Sequence, residues 1–162
     1  MTKLRKLTAL LLAGALTLLL LTACSGGGGS SGPEAQAEAE VMGAIRSNPS
    51  TASLKYDDGM CNIAKETLAK ANLDADLKGS IGGYKFYNDV KYDKETSTLT
   101  LIAQYDYKDT TLEELIGYIT KNNVASNLKF NLSSNRAKVG VAAKIYKGKT
   151  YIAITLQAVK KT

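Results

Sequence analysis

Apolar positions along this chain change period several times, and each change marks an element. Leu7 through Leu21 is an unbroken run of Leu, Ala and Thr with one Gly and no polar face. Glu34 to Ile45 is rich in Ala and Glu and sets Val41, Met42 and Ile45 on one side, which predicts a short helix ended by Asn48-Pro49-Ser50. Asp57 and Asp58 are candidate N-caps of a second helix that runs to about Ala71, with Met60, Cys61, Ala64 and Leu68 on its apolar side. The period then falls to two. Tyr84, Phe86, Val90 and Tyr92 share one parity, and Leu99, Leu101, Ala103, Tyr105 and Tyr107 share another across the polar stretch Asp93 to Ser97, which predicts a β-hairpin. Leu112, Leu115, Ile116 and Ile119 return to helical spacing behind a capping box in Thr110 to Glu114. Last, Val139, Val141, Ala143 and Ile145 alternate, Lys147-Gly148 supplies a tight turn, and Ile152, Ile154 and Leu156 alternate back. The order α, α, β, β, α, β, β predicts an α+β architecture, an antiparallel sheet with helices packed on it.

The first apolar run is an export signal by its surroundings. Lys3, Arg5 and Lys6 precede it, it is shorter than a membrane-spanning helix requires, and it ends in Leu21-Thr22-Ala23-Cys24. That tetrad resembles the bacterial lipobox. The resemblance implies cleavage after Ala23, lipid attachment at the Cys24 thiol and an extracytoplasmic protein held at the cell membrane, or at an outer membrane if the source is diderm. Ser25 to Ser31 is almost pure Gly and Ser, the composition of a flexible tether that lets a domain stand clear of headgroups. The expected division is therefore a signal peptide over 1–23, a lipidated cysteine and tether over 24–33, and one domain over 34–162. With Cys24 lipidated, Cys61 is the one thiol left, no intramolecular disulfide can form, and Cys61 reads as a buried thiol on its helix.

Two segments resemble the CAP superfamily, the cysteine-rich secretory, antigen 5 and pathogenesis-related 1 domain. The first is Leu54-Lys55-Tyr56-Asp57-Asp58-Gly59-Met60 with Ala64 following. The second is Asn131-Leu132, then Val139-Gly140-Val141-Ala142, then Gly148-Lys149-Thr150-Tyr151-Ile152-Ala153-Ile154. Thr110 to Ile119 is similar to the helix between them. The resemblance implies an α-β-α sandwich. It does not bring the family's metal site: the chain has no His, the family's histidine position falls on Leu128 in Leu128-Lys129-Phe130-Asn131-Leu132, and the Glu-Asn-Ile stretch falls near Gln104-Tyr105. What the resemblance implies is a scaffold without the divalent-metal pocket, and no cofactor is expected.

The absence of His also excludes Ser-His-Asp and Cys-His nucleophiles and an H-E-x-x-H zinc site. Ser126-Asn127-Leu128-Lys129, Ser133-Ser134-Asn135 and Lys149-Thr150 follow the order of the penicillin-binding motifs. The third ends in Tyr151 where Gly is needed, and Lys149 belongs to a hairpin. Asp57/Asp58 and Glu113/Glu114 fall at helix N-termini, where capping accounts for them. Gly79, Gly82 and Gly83 precede a strand, unlike a phosphate loop, and read as a turn. The nine tyrosines fit half-buried strand positions as well as a ligand platform.

Charge is divided along the chain. The formal net charge is +6, every acidic residue lies at or before Glu114, and Leu115 to Thr162 carries nine basic residues and no acid. Lys129, Arg136, Lys138, Lys144, Lys147 and Lys149 are the candidate contact surface, a basic face for anionic envelope polymers, lipid headgroups or a partner protein. The other reading of the same asymmetry is that the two halves lie side by side and neutralise each other locally. Nucleic acid fits neither the compartment nor the motifs. The functional expectation is a lipid-anchored, non-catalytic binding or interaction domain. The alternatives are an envelope hydrolase using carboxylates or a Ser-Lys pair, and a structural lipoprotein of a larger complex.

Overall fold

Two helices and six strands form an α+β fold in the computed structural model, which describes residues 32–81, 84–105, 117 and 135–159. Helix α1 spans Pro33–Ser47 and opens on a proline, whose missing N–H costs nothing in a first turn. It ends where the Thr51 hydroxyl, itself buried, donates to the Ile45 carbonyl at 2.6 Å. Strand β1 is only Lys55–Tyr56, and helix α2 follows at once over Asp58–Lys70. Of the two candidate caps, Asp57 is the one used: its carboxylate accepts the Met60 N–H at 3.1 Å. Strands β2 (Gly79–Ile81), β3 (Tyr84–Tyr92), β4 (Thr96–Tyr105), β5 (Lys138–Tyr146) and β6 (Lys149–Val159) complete the chain in the described residues.

The strands make one sheet in the order β1-β5-β6-β4-β3-β2. Both expected hairpins are present, β3–β4 in the register Val90↔Leu99 and β5–β6 in the register Val141↔Ile154. The second closes through Lys147 and Gly148, with φ of 50° and 72°, the positive values that a two-residue hairpin loop demands.

Two features depart from expectation. The sheet is mixed, because β1 pairs with β5 in parallel (Lys55↔Lys138, Tyr56↔Val139); a two-residue strand is too short to show a period in sequence. Gly79 lies in strand β2 and not in the expected turn. It pairs with Phe86, whose ring lies where a Gly79 side chain would be, so the aromatic covers an edge-strand glycine. The helix expected over Thr110 to Ile119 lies outside the described residues except for Gly117, which is helical.

The helices cover opposite faces of the sheet. Ala37, Val41, Met42 and Ile45 of α1 pack with Leu99 and Leu101 of β4, Val139 and Val141 of β5, and Ile152, Ile154 and Leu156 of β6. The alternate residues Ile102, Ala142, Tyr151 and Ala153 face the other way and pack with Ala64 and Leu68 of α2. Two sites set the fit. Gly140 lets the first turn of α2 lie directly on β5, since a side chain there would run into the backbone of Met60 and Cys61. Thr100 and Thr155, cross-strand partners buried under the α2 side, satisfy each other at 3.0 Å.

Candidate binding surface and groove

Position 24, the expected lipid site, lies outside the described residues; α1 begins at Pro33, just after the Gly/Ser stretch. Cys61 is buried as expected, but it is disulfide-bonded, which corrects the expectation of a lone thiol.

The six basic residues of the candidate surface divide by their partners. Lys129 lies outside the described residues, and Arg136 is exposed just before β5. Lys138 meets Asp57 at 2.8 Å, and its ammonium, with the Met60 N–H, holds the Asp57 carboxyl below the usual carboxylate range. Lys147 meets Asp74 at 2.6 Å and lies 5.1 Å from the centre of the Tyr146 ring, while the Tyr146 hydroxyl donates to the same Asp74 oxygen at 2.8 Å. These bonds, that of Lys147 first, hold Asp74 low, and Asp74 in turn raises Lys147. Lys144 borders a groove with Glu34, Glu38 and Lys65. Acids of the first half of the chain therefore stand against bases of the second, and local neutralisation describes these pairs better than one continuous basic face.

Ser126, Ser133, Ser134 and the Glu113/Glu114 pair lie outside the described residues, and Asp57 is engaged as a cap and ion pair. Where the resemblance puts the family's acidic stretch, Tyr105 is buried and donates to Glu40 at 2.9 Å. Among the described residues no three of His, Cys, Asp and Glu stand together as metal ligands, and no helix is long and apolar enough to cross a membrane. Burial and the neighbouring Asp58 carboxylate push the Tyr56 hydroxyl up to about 12.

Two arrangements are not visible in sequence. At the edge of β5, beyond its short pairing with β1, Glu38 accepts the Ala143 N–H at 2.9 Å and Glu34 accepts the Ile145 N–H at 2.7 Å. Carboxylates four apart on α1 thus satisfy alternate backbone donors of a strand edge. Burial pushes the Glu38 carboxyl up, against the lowering effect of the Ala143 N–H. The second is a groove of about 390 Å³ on the α2 side, where the turn after α2 meets the ends of the long strands. Leu73, Leu77 and Tyr151, members of one buried cluster, line it together with Asp74, Lys85, Gln104 and Lys149. Burial raises the Tyr151 hydroxyl, and its ring meets Tyr146 edge-on at 6.4 Å between centres. The shared parity of Lys85 with Tyr87 and of Lys149 with Tyr151 is the only sequence sign of this groove.

Comparison of the chain with protein-family models, curated proteins and solved structures gave no match.

Proposed function

We propose that this chain is a lipid-anchored, extracytoplasmic, non-catalytic binding domain of the bacterial envelope, built on a degenerate CAP-like scaffold. The observation that carries the reading is the succession of basic residues, apolar run, Leu21-Thr22-Ala23-Cys24 and Gly/Ser stretch, followed at Pro33 by the first described element of an α+β domain. That is the order in which an anchor, a spacer and a folded module must come.

The CAP-like part of the reading draws support from adjacency. The segment Leu54–Met60 lies against Val139–Ala142: β1 pairs with β5, the Asp57 N–H donates to the Val139 carbonyl at 3.0 Å, and Met60 and Cys61 rest on Gly140. The non-catalytic part rests on the pairing of Asp57 and Asp74 with lysines, which leaves both carboxylates as structural groups.

Replacing the anchor cysteine tests the reading. The unmodified chain is expected in the membrane fraction, released only by detergent, with the mass of an acylated peptide beginning at Cys24; Cys24→Ser should appear in the soluble fraction. A soluble wild-type chain with Cys24 and Cys61 joined in a non-reduced digest would overturn it.

A further inference from the structure

We infer that the groove between Leu77 and Tyr151 is a binding site for an acidic sugar residue, a hydroxylated ring that bears a carboxylate or a phosphate. The inference rests on the binding-domain reading and gives it a ligand class.

Charge is the first argument. Asp74, the acid of the lining, is already neutralised by Lys147 and hydrogen-bonded by Tyr146, both bonds coming from the hairpin behind it. Lys85 and Lys149 are exposed and form no ion pair among the described residues. Lys149 also acts at longer range on the Asp74 carboxylate that Lys147 pairs, so the groove carries more positive than negative charge, and an oxyanion is the natural counter-group.

Register fixes their spacing. Gln104 pairs with Tyr151, and continuing the Phe86↔Ala103 register places Lys85 beside Gln104 on the same face. Lys149 is two residues before Tyr151 and shares its parity. Two strands across and two residues along separate the Cα atoms of the lysines by roughly 10–12 Å, so two extended lysine side chains can converge on one group.

The rest of the lining selects a sugar over a bare anion or a flat headgroup layer. Gln104 offers a donor and an acceptor between the lysines, as vicinal hydroxyls require. The small exposed parts of Tyr151, Leu73 and Leu77 give an apolar patch against which a C–H edge of a pyranose can lie. The volume, about 390 Å³, is that of a small-ligand cleft, and its concave form would admit one ring where a bilayer surface would not enter.

Calorimetric titration of the full-length Cys24→Ser chain, which needs no detergent, tests this with four probes: glucuronic acid, glucose 1-phosphate, glucose, and vesicles containing an anionic phospholipid. Both acidic sugars should bind, glucose should bind at least tenfold more weakly, and the double change Lys85→Gln/Lys149→Gln should weaken the acidic sugars at least tenfold while leaving the melting temperature unchanged. Lys94→Gln, at the far turn of the β3–β4 hairpin, should have no effect. Binding of neither acidic sugar, equal binding of glucose, equal loss in Lys94→Gln, or binding to the vesicles alone would overturn the inference. None of these outcomes depends on the lipid at Cys24, so the anchor and the groove fail separately.

Discussion

Gly140 and Gly43 are the same residue type under opposite constraints. Gly140 is where the backbone of α2 touches the sheet; Gly43 lies in α1, where an added methyl group would meet nothing within 4 Å. Gly140→Ala must push α2 off β5 and is expected to cost upward of about 2 kcal/mol, the scale of overpacking in a core. Gly43→Ala removes backbone freedom from the unfolded chain and is expected to add about 0.5–1 kcal/mol. Denaturant unfolding of the two variants should move the midpoint in opposite directions. Neither sign is readable from sequence, where Gly140 sits in an alternating strand pattern and Gly43 in a helical one. What distinguishes them is contact between elements far apart in the chain.

At the scale of elements, the pieces that announce themselves are those whose period runs long enough to be seen. Helix α2, with its cap and its spaced apolar side, is legible within a residue or two, and so are the two hairpins. β1 is not, because two residues have no period; its partner β5 defines it. β2 is hidden because Gly79 and the following glycines have turn composition, and only the Phe86 ring lying over Gly79 makes that stretch a workable strand. The groove is illegible for a related reason: Lys85, Gln104 and Lys149 become neighbours only once β4 pairs with β6 as well as with β3.

Asp57 joins two of these elements, capping α2 while donating its N–H to Val139 of β5 and pairing with Lys138 of the same strand. Asp57→Ala is expected to cost about 1 kcal/mol through the lost cap. The acid limb has a definite sign. A carboxyl held below its ordinary value contributes stability that is complete above the unfolded value, near 3.8, and disappears as pH falls through the lower folded value. Glu38, raised chiefly by burial, works the other way: its contribution is present at low pH and is lost as pH rises through the raised value. Urea unfolding between about pH 2 and 5 should therefore show a flatter acid limb in Asp57→Ala than in the unmodified chain.

For the whole molecule, charge asymmetry along the sequence becomes complementarity in space. The first half supplies acids and the second half bases, and Asp57–Lys138 and Asp74–Lys147 tie the two halves together across long sequence separations. As both pairs are partly solvated, their energetic weight is small and falls with salt. Such pairing specifies which surfaces meet more than it stabilises the meeting, and it leaves Lys85 and Lys149 among the described lysines that form no ion pair.

Helix α1 has a second role besides burying Val41 and Met42. An anchored protein moves in two dimensions, where neighbouring copies meet at far higher effective concentration than they would in solution. An open strand edge invites such neighbours to add on strand by strand. Glu34 and Glu38 occupy the donors of β5 that this addition would use. The double change Glu34→Ala/Glu38→Ala should leave the sheet intact but raise the proportion of dimers and larger species in sedimentation velocity; an unchanged distribution would mean that the carboxylates only fasten the helix. For the anchored form proposed above, α1 would then keep a crowded layer of identical molecules from knitting into a continuous sheet.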